Sequence, residues 1–331
     1  MKIVYLLCGL LLLSSGRAYS EPTMLESLIK QSENCSKPTD TAQILNCRII
    51  CVDMAVLGRK APEKLAEGLK TDKRDRIALI LMAFQYIGVP DTVKLLKDVG
   101  TYCRKSKDAE LLSLYYTVLS GIYSSDSVAY LGEPVSPKME NAKMLDMARK
   151  IGMAEQGIIQ NADLAAAAKA KTPEAYVYEA YAYANMGNEQ ALGEVFTVAP
   201  DHTFSDRDRT NIRHGLEFAL WLKEKESREK RAGDSAITNG TDKPSANARK
   251  TPEEIGKLKL QYVYELAEKT RDSEEWYWAF GYLSSHPLNP EYSKLIHQLS
   301  EDAATGDHRQ QADNFMQFFD ERTKALDEEP N

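Results

Sequence analysis

Apolar residues recur at helical spacing along almost the whole chain, and this pattern constrains the fold more than any other feature. No stretch shows convincing apolar–polar alternation, and runs of β-branched residues are few, so strands are not expected. Capping residues predict helix starts at Arg74 after Thr71-Asp72, and at Thr172-Pro173-Glu174, Ser205-Asp206 and Thr251-Pro252. Glycines after apolar runs predict helix ends at Gly88, Gly152 and Gly187. The predicted fold class is all-α, with short connections that favour antiparallel neighbours.

Two stretches of the sequence align with each other at an offset of 99 residues. They are Ile77–Val99 and Tyr176–Val198, and their glycines coincide at Gly88 and Gly187. Large residues also coincide at Ile77/Tyr176 and Phe84/Tyr183. Each stretch is predicted to form a helix, a tight glycine turn and a second amphipathic helix, which indicates an internal repeat.

The second stretch resembles a tetratricopeptide repeat, whose preferred residues it matches at Tyr176, Ala180, Tyr183, Gly187, Phe196, Ala199 and Pro200. It departs from the family pattern at Glu179 and Leu192. Ala109–Gly152 resembles the longer Sel-like variant, which also uses helix pairs. The resemblance covers about residues 61 to 225 and implies an α-solenoid of stacked antiparallel helix pairs. An ordinary helical bundle is the alternative.

The resemblance also implies which residues line the concave groove of such a solenoid and contact a protein or peptide partner. In the second stretch they are Glu174, Val177, Tyr181, Ala184 and Asn185, and in the first they are Asp75, Ala78, Met82, Gln85 and Tyr86. Tyr178 lies opposite the core seam of its helix and joins the candidate contact residues. The alternative is that Tyr178 and Tyr181 pack on the neighbouring repeat.

Composition divides the chain into predicted segments. Residues 21–60 form an N-terminal helical segment that disulfides hold, and residues 61–229 form the helical-repeat domain. Residues 230–250 hold few large apolar residues and are predicted to be a flexible linker. Residues 251–326 form an appended helical unit, whose aromatic cluster Trp276–Tyr282 favours core packing, and an acidic tail follows at 327–331.

The first twenty residues have the features of a cleaved signal peptide. Lys2 precedes an apolar run of eleven residues, Ile3–Leu13, and small residues stand before Glu21 in Ala18-Tyr19-Ser20. Eleven apolar residues are too few to span a bilayer, and no later stretch approaches that length. The sequence therefore predicts an exported protein, periplasmic or secreted, without a transmembrane span in the mature chain.

The cysteines that follow the leader fit an oxidising compartment. They are Cys35, Cys47, Cys51 and Cys103, an even number that predicts two disulfides. Cys47 and Cys51 are one helical turn apart, which is a poor geometry for a mutual bridge. The preferred pairing is Cys35–Cys47 with Cys51–Cys103, followed by Cys35–Cys51 with Cys47–Cys103. A four-thiolate zinc site is the alternative.

Charge and motifs argue against nucleic-acid binding and give little support to catalysis. The 42 Lys+Arg against 49 Asp+Glu give a net charge of −7, whereas phosphate binding needs a basic surface. The five histidines lack metal-ligand spacing, and no phosphate-binding glycine loop is present. Glu26-Ser27 resembles the start of a lytic transglycosylase motif, but the glycine-rich continuation is missing. No cofactor or metal site is predicted.

These observations together predict a non-catalytic exported module that binds a protein or peptide partner in the groove of a helical repeat. An adaptor in envelope assembly or secretion and an immunity protein that neutralises a toxin both fit, and the resemblance does not choose between them. The alternatives are a peptidoglycan-processing envelope enzyme and a purely structural scaffold. The oligomeric state stays open.

Overall fold

A computed structural model describes residues 21–35, 41–170, 172–189, 205–237, 250–270, 273–303 and 306–327. Within these ranges every regular element is a helix, which confirms the all-α prediction. The predicted signal peptide, the second helix of the repeat beginning at Tyr176, and residues 238–249 of the predicted linker lie outside the described residues.

The described ranges contain fifteen α-helices and two 3₁₀ turns, Ser32–Asn34 and Pro90–Leu96. The α-helices are α1 Glu21–Gln31, α2 Thr41–Gly58, α3 Pro62–Glu67, α4 Arg74–Ile87, α5 Lys97–Ser106, α6 Ala109–Gly121, α7 Ser125–Leu131, α8 Ala142–Glu155, α9 Asn161–Ala170, α10 Pro173–Asn185, α11 Asp206–Ile237, α12 Pro252–Thr270, α13 Ser273–Leu283, α14 Pro290–Glu301 and α15 Gly306–Asp327.

Side chains cap the first turn of some of the helices. Thr251 accepts a hydrogen bond from the Glu254 N–H at 3.2 Å, and the Glu254 carboxylate accepts one from the Thr251 N–H at 2.7 Å. This reciprocal pair is a complete capping box for α12. Thr172 caps α10 through the Ala175 N–H at 3.3 Å. The predicted starts of α4, α10, α11 and α12 are therefore confirmed.

The predicted helix end at Gly152 is wrong, whereas the one at Gly88 is confirmed. Gly88 ends α4 with a φ of 58°, a left-handed conformation that glycine adopts without strain. Gly152 lies inside α8, which continues to Glu155. A Cβ at Gly152 would overlap the Ser120 hydroxyl of α6. This glycine therefore allows two helices to approach closely and does not end one.

Alternate helices of the first half pack side by side: α2 on α4, α4 on α6, α6 on α8 and α8 on α10. We call this series the α2–α10 row. The intervening helices α1, α3, α5, α7 and α9 pack on row members beside them, and α11 packs on α10. The hydrophobic core runs between these helices and is built around Leu81, Phe84, Tyr115 and Leu119, each at most 1% exposed.

The C-terminal helices α12–α15, which we call the C-terminal unit, return to this row and cover part of it. α15 packs on α2, and α12 packs on α7. Phe319 and Leu326 of α15 are buried in the same hydrophobic cluster as residues of α2, α4 and α6. The unit predicted at 251–326 as an appendage thus shares the core of the first half.

Residues 230–237 of the predicted linker are helical, because α11 continues through them. Lys230, Arg231 and Ala232 favour helix, and they extend an exposed charged helix that already carries an Arg228–Glu224 ion pair. A lack of large apolar residues is common to solvated helices and flexible segments, so composition alone does not distinguish the two for residues 230–237.

One of the two preferred disulfides is present. Cys35 and Cys47 are bonded, with their Cα atoms 5.7 Å apart. The predicted Cys51–Cys103 bridge is wrong: both cysteines are free thiols, and both are buried. Cys51 lies on α2 against the Leu79 carbonyl of α4, whereas Cys103 lies on α5, which packs on α6. The two thiols thus lie on different helices with different neighbours, and burial raises the pKa of each to about 12.

Helix α2 also corrects the expectation that no later stretch has membrane length. Thr41–Gly58 is long and apolar enough to cross a bilayer by length and composition, and it is the one described helix that meets this test. Half of it is buried inside the fold, and a buried core helix meets the same test. Its first residues, with Ile44 and Leu45 39% and 42% exposed, project from the core.

Replacing Gly88 by alanine should destabilise the protein by about 2 to 4 kcal/mol, because the side chain adds left-handed strain and overlaps the His286 ring. Gly281→Ala is the matched control, since nothing lies within 4 Å of a Cβ there and the site is helical. It should stabilise by up to about 1 kcal/mol. Urea unfolding of both variants measures the difference. Equal stabilities would refute this account of the α4 turn.

Candidate functional site

The candidate contact residues on α10 are mostly buried inside the chain. Val177, Tyr178 and Tyr181 are each 1% exposed. The Tyr181 hydroxyl donates to Glu155 Oε1 at 2.9 Å, and its ring fits against Gly215 of α11. In this conformation these three side chains are not available to a partner. Tyr178 and Tyr181 contact neighbouring segments of the chain, in the manner of the alternative interpretation.

Two other α10 candidates are less enclosed. Asn185 is half-buried and donates to the Tyr181 carbonyl at 2.8 Å and to the Ala154 carbonyl at 3.4 Å. Glu174 is half-buried in the first turn. The Asn185 amide therefore ties α10 to α8, and its donors are already used within the chain.

The candidates on α4 remain half-buried, and one of them contacts the C-terminal unit. The five residues are Asp75, Ala78, Met82, Gln85 and Tyr86. The Tyr86 ring meets Phe319 edge-on, with centroids 6.1 Å apart, and the Tyr86 carbonyl accepts the Leu288 N–H at 3.1 Å. The predicted contact surface on α4 is thus occupied, at Tyr86, by helices of the same chain.

A histidine of the C-terminal unit fills a socket at the ends of α4 and α6. His286 is 2% exposed and lies against Gly88 and Gly121, where the missing Cβ atoms leave room for its ring. Beside it, the Asn289 amide donates to the Gly88 carbonyl at 2.8 Å. Burial lowers the pKa of His286 to about 4, so the imidazole is neutral at pH 7.

An ion pair joins α15 to α2. Arg322 donates from Nε to Asp53 Oδ1 at 2.8 Å and makes a second hydrogen bond from Nη2 to Oδ2. Asp53 is 3% exposed, and burial raises the pKa of its carboxyl although Arg322 acts in the opposite direction. A bidentate arginine is the partner that best offsets the desolvation of a buried carboxylate.

The start of α12 makes a third contact, with α7. The Glu253 carboxylate accepts the Ser125 N–H at 2.6 Å and the Ser125 hydroxyl at 3.4 Å. These groups lie at the N-terminus of α7, where a negative charge is favourable. Because Gly256 has no side chain, Tyr123 can approach α12 closely. In the same way, Gly157 leaves room for the Ile255 side chain of α12.

Between α11 and the C-terminal unit, a lysine lies inside an aromatic cage. Lys259 of α12 is 4% exposed, and its Nζ lies 4.5 Å from the Phe218 ring centroid and 5.5 to 5.7 Å from those of Tyr262, Trp278 and Tyr282. Aromatic faces attract the ammonium by cation–π interactions. Burial nevertheless lowers the pKa of Lys259 to about 8, while Glu155 and Glu217 nearby act in the opposite direction.

A buried histidine lies beside this cage and shares its Trp278 ring. His214 of α11 is fully buried, with Glu217 Oε2 3.1 Å from Nδ1 and Glu275 Oε2 3.0 Å from Nε2. The Trp278 ring lies 3.9 Å from its centroid. The two carboxylates lie at opposite nitrogens of the ring, so the cluster links α11 to α13. The carboxylates do not converge on one position where a ligand could bind.

The arrangement is therefore an interface between helices. Among the described residues no group of three or more His, Cys, Asp or Glu side chains is arranged to hold a metal. Two open depressions of about 590 and 440 Å³ lie near Tyr102 and Glu26, away from the cage.

Sequence reasoning missed the residues that make this interface, although two of them carried a signal. Lys259 shares one helical face with Ile255, Tyr262 and Val263, all buried. Asp53 is the one charge in the apolar run Ile49–Leu57. A single charge within an apolar pattern indicates a buried charge with a specific partner.

Replacing Lys259 by methionine should stabilise the protein at pH 7 by about 1 to 3 kcal/mol, because it removes a desolvated charge. The pKa of Lys259 is lowered to about 8 from 10.5, so between these values the unfolded chain binds more protons. Wild-type stability should therefore rise with pH over that range. Chemical denaturation from pH 7 to 10 should show the gap to Lys259→Met narrowing. A constant gap would contradict a buried charged lysine.

Comparisons with protein-family models, with curated proteins and with solved structures found no significant match for this chain. The interpretation of the interface therefore depends on its own geometry.

Proposed function

We propose that this chain is a non-catalytic, exported protein-interaction module that binds a helical segment of a partner protein on the α2–α10 row. The observation that carries the proposal is the contact between this row and the C-terminal unit. There the row already binds helices through apolar anchors, the Asp53–Arg322 ion pair and hydrogen bonds to the Tyr86 and Gly88 carbonyls. Binding a helix by such contacts is a recurring mode of peptide recognition.

The stacking of alternate helices supports a tetratricopeptide-like solenoid for this row. In such a solenoid the Tyr86 side chain, which contacts Phe319 of α15, belongs to the concave groove. The C-terminal unit then acts as an internal ligand that covers the groove in the closed form, and a partner helix competes with it. Competition of this kind couples binding to opening of the unit.

Export is part of the proposal. The leader-like first twenty residues and the Cys35–Cys47 disulfide are compatible with an oxidising compartment such as the periplasm or the exterior. An envelope or secretion adaptor and a toxin-neutralising immunity protein both fit such a module.

A peptidoglycan-processing enzyme receives less support. Its candidate acid, Glu26, has a side chain 59% exposed and lies 3.3 Å from the Lys64 ammonium. General acids of glycosidases depend on burial in an apolar pocket, which this site does not offer. A structural scaffold is favoured by one observation, the burial of Phe319 and Leu326 in the core of the first half.

Weakening the ion pair should increase partner capture. Immobilised mature chain with Arg322→Ala should retain a stoichiometric partner from envelope or secreted fractions at several times the wild-type yield, because the internal ligand is weakened. Arg228→Ala is the control, since Arg228 pairs with Glu224 on the exposed face of α11. Quantitative mass spectrometry measures the yields. No enrichment by a folded Arg322→Ala chain would favour the scaffold.

A further inference from the structure

We infer that the α15-binding surface of α2 and α4 selects an amphipathic helix with aromatic residues at positions i and i+4, arginine at i+7 and leucine at i+11. This inference rests on the proposed function and specifies the partner helix. In α15 these positions are Phe315, Phe319, Arg322 and Leu326. At 100° per residue they fall within about 60° of one another, on a single helical face.

The apolar positions of this face anchor the helix. Phe319 is 5% exposed and meets the Tyr86 ring, and Leu326 is 4% exposed in the same cluster. Phe315 is half-buried against the same cluster, and its ring centroid also lies 5.5 Å from that of Phe280 in α13. Burying side chains of this size contributes most of the affinity of a helix for a groove.

The arginine supplies selectivity. Arg322 is the one cation within ion-pair distance of the buried Asp53 carboxylate in the part of the chain that the structure describes. An occupant without a cation here would leave that charge desolvated and unpaired. Both Asp53 oxygens accept hydrogen bonds from the guanidinium, and lysine cannot reproduce this planar fork. The site therefore rejects helices that are merely apolar.

The opposite face of α15 makes no demand on the partner. Its residues are exposed, among them Asn314, Gln317 and Asp320. A competing helix is thus defined by one face only, and its remaining residues are free to belong to another surface of the partner.

The test uses a fluorescein-labelled peptide with the sequence of residues 306–327 and the full-length chain. In the chain, Arg322→Glu places a repelling charge beside Asp53 and should open the site. Fluorescence anisotropy should show the peptide binding this chain at least ten times more tightly than the wild-type chain. Circular dichroism and a thermal melt establish that the variant is folded, and Arg322→Gln replaces it if it is not.

Peptide variants then test the pattern. The peptide with Arg322→Lys or Phe319→Ala should bind at least ten times more weakly. The peptide with Arg309→Ala should bind unchanged, because Arg309 bonds to carbonyls of α14 and not to α2. No binding to a folded opened chain, or equal binding of all peptides, would overturn the inference.

The outcome is separable from that of the proposed function. A partner captured by the Arg322→Ala chain but not displaced by the peptide would overturn the helix pattern and leave the interaction module standing. Arginine-dependent peptide binding without any captured partner would support the helix pattern and count against the interaction module.

Discussion

Helices that carry large side chains on more than one side must be covered on each of those sides, and this constraint governs the whole molecule. Within the α2–α10 row each helix covers its neighbours. Part of the surface that the row does not cover itself is covered by the C-terminal unit. There Phe319 packs against Tyr86, and His286 packs against Gly88. The two halves of the chain therefore complete one another, although the mostly polar stretch 238–249 lies between them in the sequence.

The contact between the halves contains charge as well as apolar surface. Asp53 and Lys259 are each at most 4% exposed, and each would cost several kcal/mol without its partners. Apolar helices alone tolerate many docking arrangements, whereas a buried carboxylate and a caged ammonium tolerate few. The charges thus reduce stability somewhat and define how the C-terminal unit sits.

Local features of this fold were predictable from sequence, and distant ones were not. The capping box at Thr251 and the boundaries of Arg74–Ile87 follow from residues close in the chain. The Cys35–Cys47 bridge joins residues twelve apart and was the preferred pairing. Nothing in the local pattern links Asp53 to Arg322, because their pairing depends on how whole helices stack. Gly152 was mistaken for a stop for the same reason, since its role is defined by Ser120 on another helix.

The distance along the chain between Asp53 and Arg322 has a consequence for biogenesis. The two residues are 269 positions apart, so the surface on α2 is made long before the helix that covers it. At roughly 5 to 20 residues per second of synthesis, the delay is about 15 to 50 s. Throughout that interval the nascent chain presents an uncovered apolar surface with a solvated acid at its centre. The order of synthesis thus separates in time two groups that the finished fold joins directly.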